Sequence, residues 1–335
     1  MGNFFVEIIS GGKSYNAGFK LIIDLNKIMA QIGYTSLPCK LQTGKSKFTK
    51  LYHLIKDTYY AMGKINNNSK VVYLYPDILY YDFLFPLLRL KKHTKIAIII
   101  DINSLRNGNG TLLAKDKNYL LKFDELIVHT PAMKQLLIAN GFAADNLKVI
   151  NMFDYLINIP NKIERKYGNI VCYAGNLNKS EFLKELPLVN LQSVKFNLYG
   201  ADSPNIPIGE NILYMGKFEP GDLSNLEGNW GLVWDGNAIN TCTGIFGKYL
   251  KVNLPHKTCL YTAAQLPIII WEEAALAPFI KEHGIGITVK SITEISKRIG
   301  EVSQDEYATM FKNIKQLSHS LNNGEMLKKI LGDNS

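Results

Sequence analysis

The sequence predicts a parallel α/β protein made of two Rossmann-like, parallel-sheet domains that face a cleft, with a C-terminal helical tail. Three observations carry this. Short apolar runs without alternation recur along the chain, among them Ile96–Ile100 and Ile268–Ile270, as in strands buried on both faces. Turn residues and then a helical pattern follow most of them. The 335 residues exceed one ordinary core, and two units of about 150 residues are the natural division.

In order, Phe4–Ile9 reads as a first strand, broken by Ser10-Gly11-Gly12. Ser14–Ile32 reads as a helix with Phe19, Ile22, Ile23, Ile28 and Ile32 among its apolar positions. Val71–Tyr75 is a strand ended by Pro76-Asp77, and a helix rich in aromatics and leucines runs on to about Leu90. Ile96–Ile100 and Leu126–Val128 are strands, and the helix Pro131–Asn140 stops at Gly141. Residues 1–155 form the expected first domain, and 156–168, with Pro160 and a run of charges, the linker. Residues 169–303 form the second domain. Its strands are expected at Ile170–Tyr173, Val194–Leu198, Ile212–Tyr214, Gly231–Trp234, Ile268–Ile270 and about Ile285–Val289. The tail from Glu294 to Leu331, including the terminal helices of 304–335, is helical and fairly polar. It either packs back across the first domain or contacts another subunit.

Composition narrows the class. Hydrophobic residues make up 47% of the chain and charged residues 20%, as in a soluble globular protein. No apolar run approaches the roughly 18 residues of a membrane span, and the first residues lack a signal-peptide pattern, so a cytoplasmic protein is expected. Val6 stands where a myristoylation motif wants Ser or Thr. Cys39, Cys172, Cys242 and Cys259 lack metal-type spacing and lie in or beside apolar segments, as reduced buried thiols do. A net charge of +9 points to an anionic partner. The lysines are scattered and no nucleic-acid motif occurs, so nucleic acid is not expected. A phosphate-bearing small molecule, or attraction to an anionic membrane, suits the same balance.

The stretch Asn253–Trp271 holds the main site signal. Asn253 is placed to cap a helix, Pro255 suits its first turn, and Leu260, Ala263 and Ala264 line one face. His256 and Lys257 fall in that first turn, where the helix dipole disfavours a cation. Either Lys257 is an ordinary solvated lysine, or an anion at the helix start reverses the sign. Ligands in such sheets lie outside the carboxyl ends of the strands. The turns expected there are Ala174-Gly175 to Lys179-Ser180, Tyr199-Gly200, Met215-Gly216-Lys217, Asp235-Gly236 and Thr241-Cys242-Thr243-Gly244. One glycine turn alone is turn chemistry. Several on one edge imply a nucleoside diphosphate, with Lys179 and Lys257 at the phosphates and Tyr199 or Tyr214 at base or ribose.

The string Pro255-His256-Lys257, Tyr261, Ala263, Leu266-Pro267-Ile268-Ile269 resembles the donor-site signature of GT-B glycosyltransferases. Over most of the chain, GNLNKSEFL (175–183), LVWDG (232–236), GKYLKVNLPHK (247–257), WEEAALAPFIKEHGIGI (271–287) and DINSLR (101–106) are similar to the glucosyltransferase-3 type. Those enzymes extend O-linked N-acetylglucosamine on bacterial serine-rich-repeat adhesins, and a broader similar group includes galactofuranosyltransferases of surface polysaccharides. The resemblance implies transfer from UDP-glucose or UDP-N-acetylglucosamine to a glycosylated serine-rich protein. It also implies a homo-oligomer, dimer or tetramer, with no cofactor beyond the donor. Glucosyl or galactofuranosyl transfer to a surface polysaccharide stays open, as does a non-catalytic GT-B subunit that binds acceptor; an epimerase-like nucleotide-sugar enzyme would need a dinucleotide motif that Gly11-Gly12-Lys13 lacks.

Carried over by position, Lys179 stands at the donor diphosphate, and Tyr214, Lys251 and Lys257 match further donor positions. Thr243 and Gly244 belong to the same donor loops, Asn253 shapes the last of them, and the amides of Ala274 and Ala275 begin a helix able to receive phosphate or sugar oxygens. Leu260 stands where typical members have a ribose-binding glutamate, which leaves ribose to Glu272 or Glu273. On the acceptor side, Asn16 and Gly18 lie in the turn after the first strand, which either faces the cleft or is an ordinary βα turn. Asp101 follows the strand Ile96–Ile100. It either takes the proton from an attacking sugar hydroxyl or caps a turn with Asn103 and Ser104. His129 is the rival base, and Arg106 fixes Asp101 or meets the acceptor. No Asp-x-Asp pair occurs, so metal-independent transfer is expected, with lysines neutralising the leaving UDP.

Overall fold

Two six-stranded sheets organise the chain in the computed structural model, which describes residues 2–10, 17–41, 46–76, 92–108, 111–158, 164–201 and 208–332. The first holds β1 (Asn3–Ser10), β2 (Thr35–Leu41), β3 (Lys70–Tyr75), β4 (Thr94–Ile99), β5 (Glu125–Val128) and β6 (Leu147–Val149), in the order β2-β1-β3-β4-β5-β6. The second holds β7 (Ile170–Ala174), β8 (Lys195–Tyr199), β9 (Ile212–Gly216), β10 (Trp230–Val233), β11 (Ile268–Trp271) and β12 (Gly286–Val289), in the order β12-β11-β10-β7-β8-β9. All ten strand pairings are parallel. The all-apolar runs explain this, because β10 and β11 are buried along their whole length and need cover on both faces.

Two strands escape the sequence pattern for physical reasons. β2 carries Pro38 and, among the described residues, pairs only with β1, and an edge strand tolerates a missing N–H. β6 has three residues and closes the other edge. Helix α1 is described over Ala17–Gln31, so Gly18 lies in the helix and not in a turn. Asn16 and the aromatic helix expected after Asp77 lie outside the described residues. A second helix, α2 (Lys47–Lys64), is unanticipated; Ser46 caps it by accepting the Thr49 N–H.

The two sheets share one core. A continuous apolar cluster runs from Phe5, Leu25 and Ile28 beneath α1 to Tyr173, Trp230 and Ile270 of the second sheet. Behind the first sheet, Val71, Tyr73, Ile99 and Val128 join a separate cluster. The tail forms helices at Ile295–Gly300, Gln304–Asn322 and Glu325–Leu331. The middle one opens with a reciprocal capping box between Ser303 and Glu306 and packs on the helix His256–Ala263. The last packs on α1, and Asp154 from beyond β6 accepts the Met326 and Leu327 N–H groups at 3.0 and 2.8 Å. The end of the tail thus packs back across the first half. Before β7, Arg165 is buried and donates to the Gly228 and Ala264 carbonyls, both at 3.2 Å.

Candidate donor and acceptor site

In the second sheet the chain starts at β7, moves out to β9, then returns to β10 on the other side of β7. That reversal leaves a crevice above the carboxyl ends of β7 and β10, where an α/β sheet receives its ligand. Lys257 occupies it. It is the second residue of the helix His256–Ala263, and its ammonium group forms an ion pair with Asp235 just past β10. The same Nζ donates to the Tyr173 hydroxyl at 3.1 Å. Burial alone would lower the Lys257 pKa, but the Asp235 carboxylate, with the hydrogen bonds to Asp235 and the Tyr173 hydroxyl, outweighs it and raises it, so the cation is secure at neutral pH. A Cβ on Gly175 would lie 2.8 Å from Lys257 Cε, so glycine alone leaves the amine room at the strand end. Gly200, at φ +155°, passes so close that a Cβ would lie 2.1 Å from the Gly175 carbonyl oxygen.

The other donor candidates surround this crevice unequally. Lys179 is exposed, with its Nζ 5.9 Å from the centre of the Phe246 ring in the helix Gly244–Tyr249. Thr243 and Gly244 form the turn into that helix; Gly244 has φ +80° and a Cβ there would strike Asn237. Tyr214 is half-buried and donates to the Gly200 carbonyl at 3.2 Å. Lys251 pairs with Glu273 at 2.5 Å beside the Trp271 ring, so of the two ribose candidates Glu273 has its carboxylate engaged, while Glu272 is exposed.

Three expectations need correction. Asn253 does not cap the helix: Pro255 holds the cap position, and the Asn253 side-chain oxygen is buried without a partner among the described residues. The amides of Ala274 and Ala275 are not free donors, because they are bonded to the Trp271 and Leu250 carbonyls and the helix begins only at Ala277. Tyr199 is buried, with its hydroxyl donating to the Asn225 carbonyl and accepting the Glu227 N–H, which removes it from the base or ribose role.

On the first sheet, Asp101 lies just past β4 and is half-buried, with Oδ2 2.9 Å from the Arg106 guanidinium. Burial raises its carboxyl above the ordinary carboxylate range, while Arg106 and a hydrogen bond from the Tyr249 hydroxyl pull the other way. Its capping alternative fails, because the buried Asp116 takes that part: it accepts the Ser104 N–H at 2.8 Å and the Tyr75 hydroxyl at 2.6 Å. Tyr249 was not anticipated. It is buried in the donor-side helix Gly244–Tyr249, accepts the Ile102 N–H at 3.2 Å, and so ties the Asp101 loop to the second half. Nothing local marks it, since its partners lie far back along the chain.

His129 is not a rival base. Its Nε2–H donates to the Ile99 carbonyl at 2.8 Å and its Nδ1 accepts the Leu254 N–H at 3.1 Å, while the Thr130 hydroxyl donates to the Val252 carbonyl at 2.7 Å. The imidazole is a bracket between the halves, and burial lowers its pKa to about 4. His256, half-buried beside Tyr155 with its Nε2 enclosed and the Lys20 charge near, is lowered to about 3. Both have an ordinary value of 6.5, so on acidification the unfolded chain binds protons first. Stability should therefore be full above pH 6.5 and fall below it by about 1.4 kcal/mol per pH unit for each histidine, down to about pH 4 for His129 and about pH 3 for His256. Urea midpoints at pH 7 and pH 5 measure this, and His129→Gln should reduce the difference between them.

Two family models match the chain: the glucosyltransferase 3-like N-terminal domain over residues 3–152 and the glucosyltransferase 3-like C-terminal domain over 171–334. The β-1,6-galactofuranosyltransferase WbbI of Escherichia coli (strain K12) is 34% identical over 248 residues, which is 72% of this chain and 72% of WbbI. Glucosyltransferase 3 of Streptococcus gordonii is 24% identical over 213 residues, covering 63% of this chain and 61% of that protein. Among solved structures, the apo form of the lipopolysaccharide outer core galactosyltransferase WaaB matches with a TM-score of 0.54 at 12% identity, covering 98% of this chain and 99% of that one, a likeness of fold alone. With both family models matched, a relative above 30% identity and two parallel sheets of GT-B type, the chain belongs to the glucosyltransferase 3-like family of GT-B glycosyltransferases.

Proposed function

We propose that this glycosyltransferase moves a hexose from a UDP-sugar to a sugar hydroxyl on a glycan acceptor, without a metal ion. The placement of Lys257 supports this most. A cation at the first turn of a helix, at the reversal point of a parallel sheet, suits a diphosphate that leaves with developing negative charge. Lys179 and Lys251 add positive charge on the same edge. Asp101, on the facing half, is the acceptor-side base.

The donor sugar has two readings. The 34% identity to a galactofuranosyltransferase favours galactofuranose, for which the sequence resemblance offers a surface polysaccharide as acceptor. The family models and the 24% relative, named for glucosyl transfer, favour glucose, and the sequence resemblance adds N-acetylglucosamine as a second donor and O-linked N-acetylglucosamine on a serine-rich adhesin as the acceptor. Incubation with UDP-galactofuranose, UDP-glucose and UDP-N-acetylglucosamine, each with a polysaccharide precursor or a glycosylated serine-rich peptide, separates them by UDP release. Turnover should persist in excess chelator. A rate abolished by EDTA and restored by magnesium or manganese would overturn the metal-free mechanism, and no UDP release from any pair would leave a non-catalytic subunit.

A further inference from the structure

Helix α2 carries two apolar faces, and the fold uses one. Thr58 and Ala61, with Ile65 at the helix end, are buried on the side packed along edge strand β2. Roughly 120° round the helix, Phe48, Tyr52, Ile55 and Tyr59 recur at spacings of four, three and four residues. They are 87%, 63%, 52% and 81% exposed. Leu51 and Tyr60 widen the stripe. Covering β2 needs no second stripe, and a contiguous exposed patch of this kind marks a contact surface.

Charge selects the partner. The α2 sequence holds Lys47, Lys50, Lys56 and Lys64 against the single carboxylate of Asp57, in a chain of net charge +9. A second copy meeting this helix about a two-fold axis would set lysines against lysines. Phenylalanine and tyrosine settle at the boundary between headgroups and acyl chains, ring inward and hydroxyl outward, with lysines reaching to anionic headgroups. We propose that α2 seats this chain on the surface of a bilayer containing anionic phospholipid, lying in the plane of the interface. Crossing is not implied: no described helix is long and apolar enough to span a membrane.

The test uses the full chain and sedimentation with two kinds of vesicle, phosphatidylcholine alone and phosphatidylcholine with about one-third phosphatidylglycerol. Binding is expected on the anionic vesicles, much weaker binding on the neutral ones, and a decline as salt rises. Phe48→Ser with Tyr59→Ser should lower the partition coefficient at least about tenfold. Leu188→Ser, at a leucine 80% exposed elsewhere, should leave it unchanged. Since all three side chains are exposed, unfolding midpoints should stay at the wild-type value. Equal binding to both vesicles, or none to either, overturns the proposal. An oligomer of the wild type that the double variant dissolves would also overturn it, by assigning the stripe to a second copy.

Discussion

Asp101→Asn is expected to lower turnover by about 10²–10⁴-fold and to leave UDP-sugar affinity nearly unchanged. The substitution keeps the size of the side chain and can keep contact with Tyr249, but it removes the oxygen that accepts the acceptor's proton. The geometry sharpens this expectation. Asp116, not Asp101, satisfies the start of the helix Asn103–Arg106, so the loss cannot be a fraying of that helix. The base works only when ionised, and burial sets its carboxyl above the ordinary 3.8. The acidic limb of kcat/KM should therefore lie above the usual carboxylate range, and the rate should fall as pH drops through it. Arg106→Ala removes the charge that opposes this shift, so the limb should move to still higher pH. Tyr249→Phe deletes the hydroxyl and should move it the same way. Near-normal turnover of Asp101→Asn would transfer the base role to the leaving phosphate, in a retaining reaction.

Lys257→Ala should weaken UDP binding by about 1.5–3 kcal/mol, or about 10- to 150-fold, measured by calorimetry. Two effects add here. The diphosphate loses a charge-assisted hydrogen bond, and Asp235 loses the cation that neutralises it beside the phosphates. The second effect is separable. Adding Asp235→Asn to Lys257→Ala should restore part of the affinity, because a neutral amide no longer repels the ligand. Lys179→Ala should also weaken binding, and its loss should add less than fully to that of Lys257→Ala if both clasp one diphosphate. Unchanged UDP affinity in Lys257→Ala would remove the helix start from the donor site.

What could be read from the residues was what is local. Ile96–Ile100 and Ile268–Ile270 announce buried parallel strands because cover on both faces leaves no polar position to break the run. Lys257 stands out because a cation at the wrong end of a helix needs a reason, and the ion pair with Asp235 supplies one. By contrast, α2 escaped notice because its most prominent apolar residues face outward, so its pattern does not report the core. Asp235, Asp116 and Tyr249 matter through partners distant in sequence, and no spacing rule reaches that far. The amides of Ala274 and Ala275 were misread for a related cause. A glance at the chain cannot show that the Leu250 carbonyl has already taken one of them.

The docking of the last helix on α1 has a consequence for biosynthesis. Gly324 lies so close that a Cβ there would be 2.9 Å from the Ile28 side chain. At translation rates of about 5–20 residues per second, the roughly 300 residues between them take about 15–60 s to appear. Through that interval the nascent first half has β1, β3 and β4 ready to pair, yet the apolar side of α1 lacks its final cover. That side of α1 thus stays without its C-terminal cover until translation nears the end of the last helix.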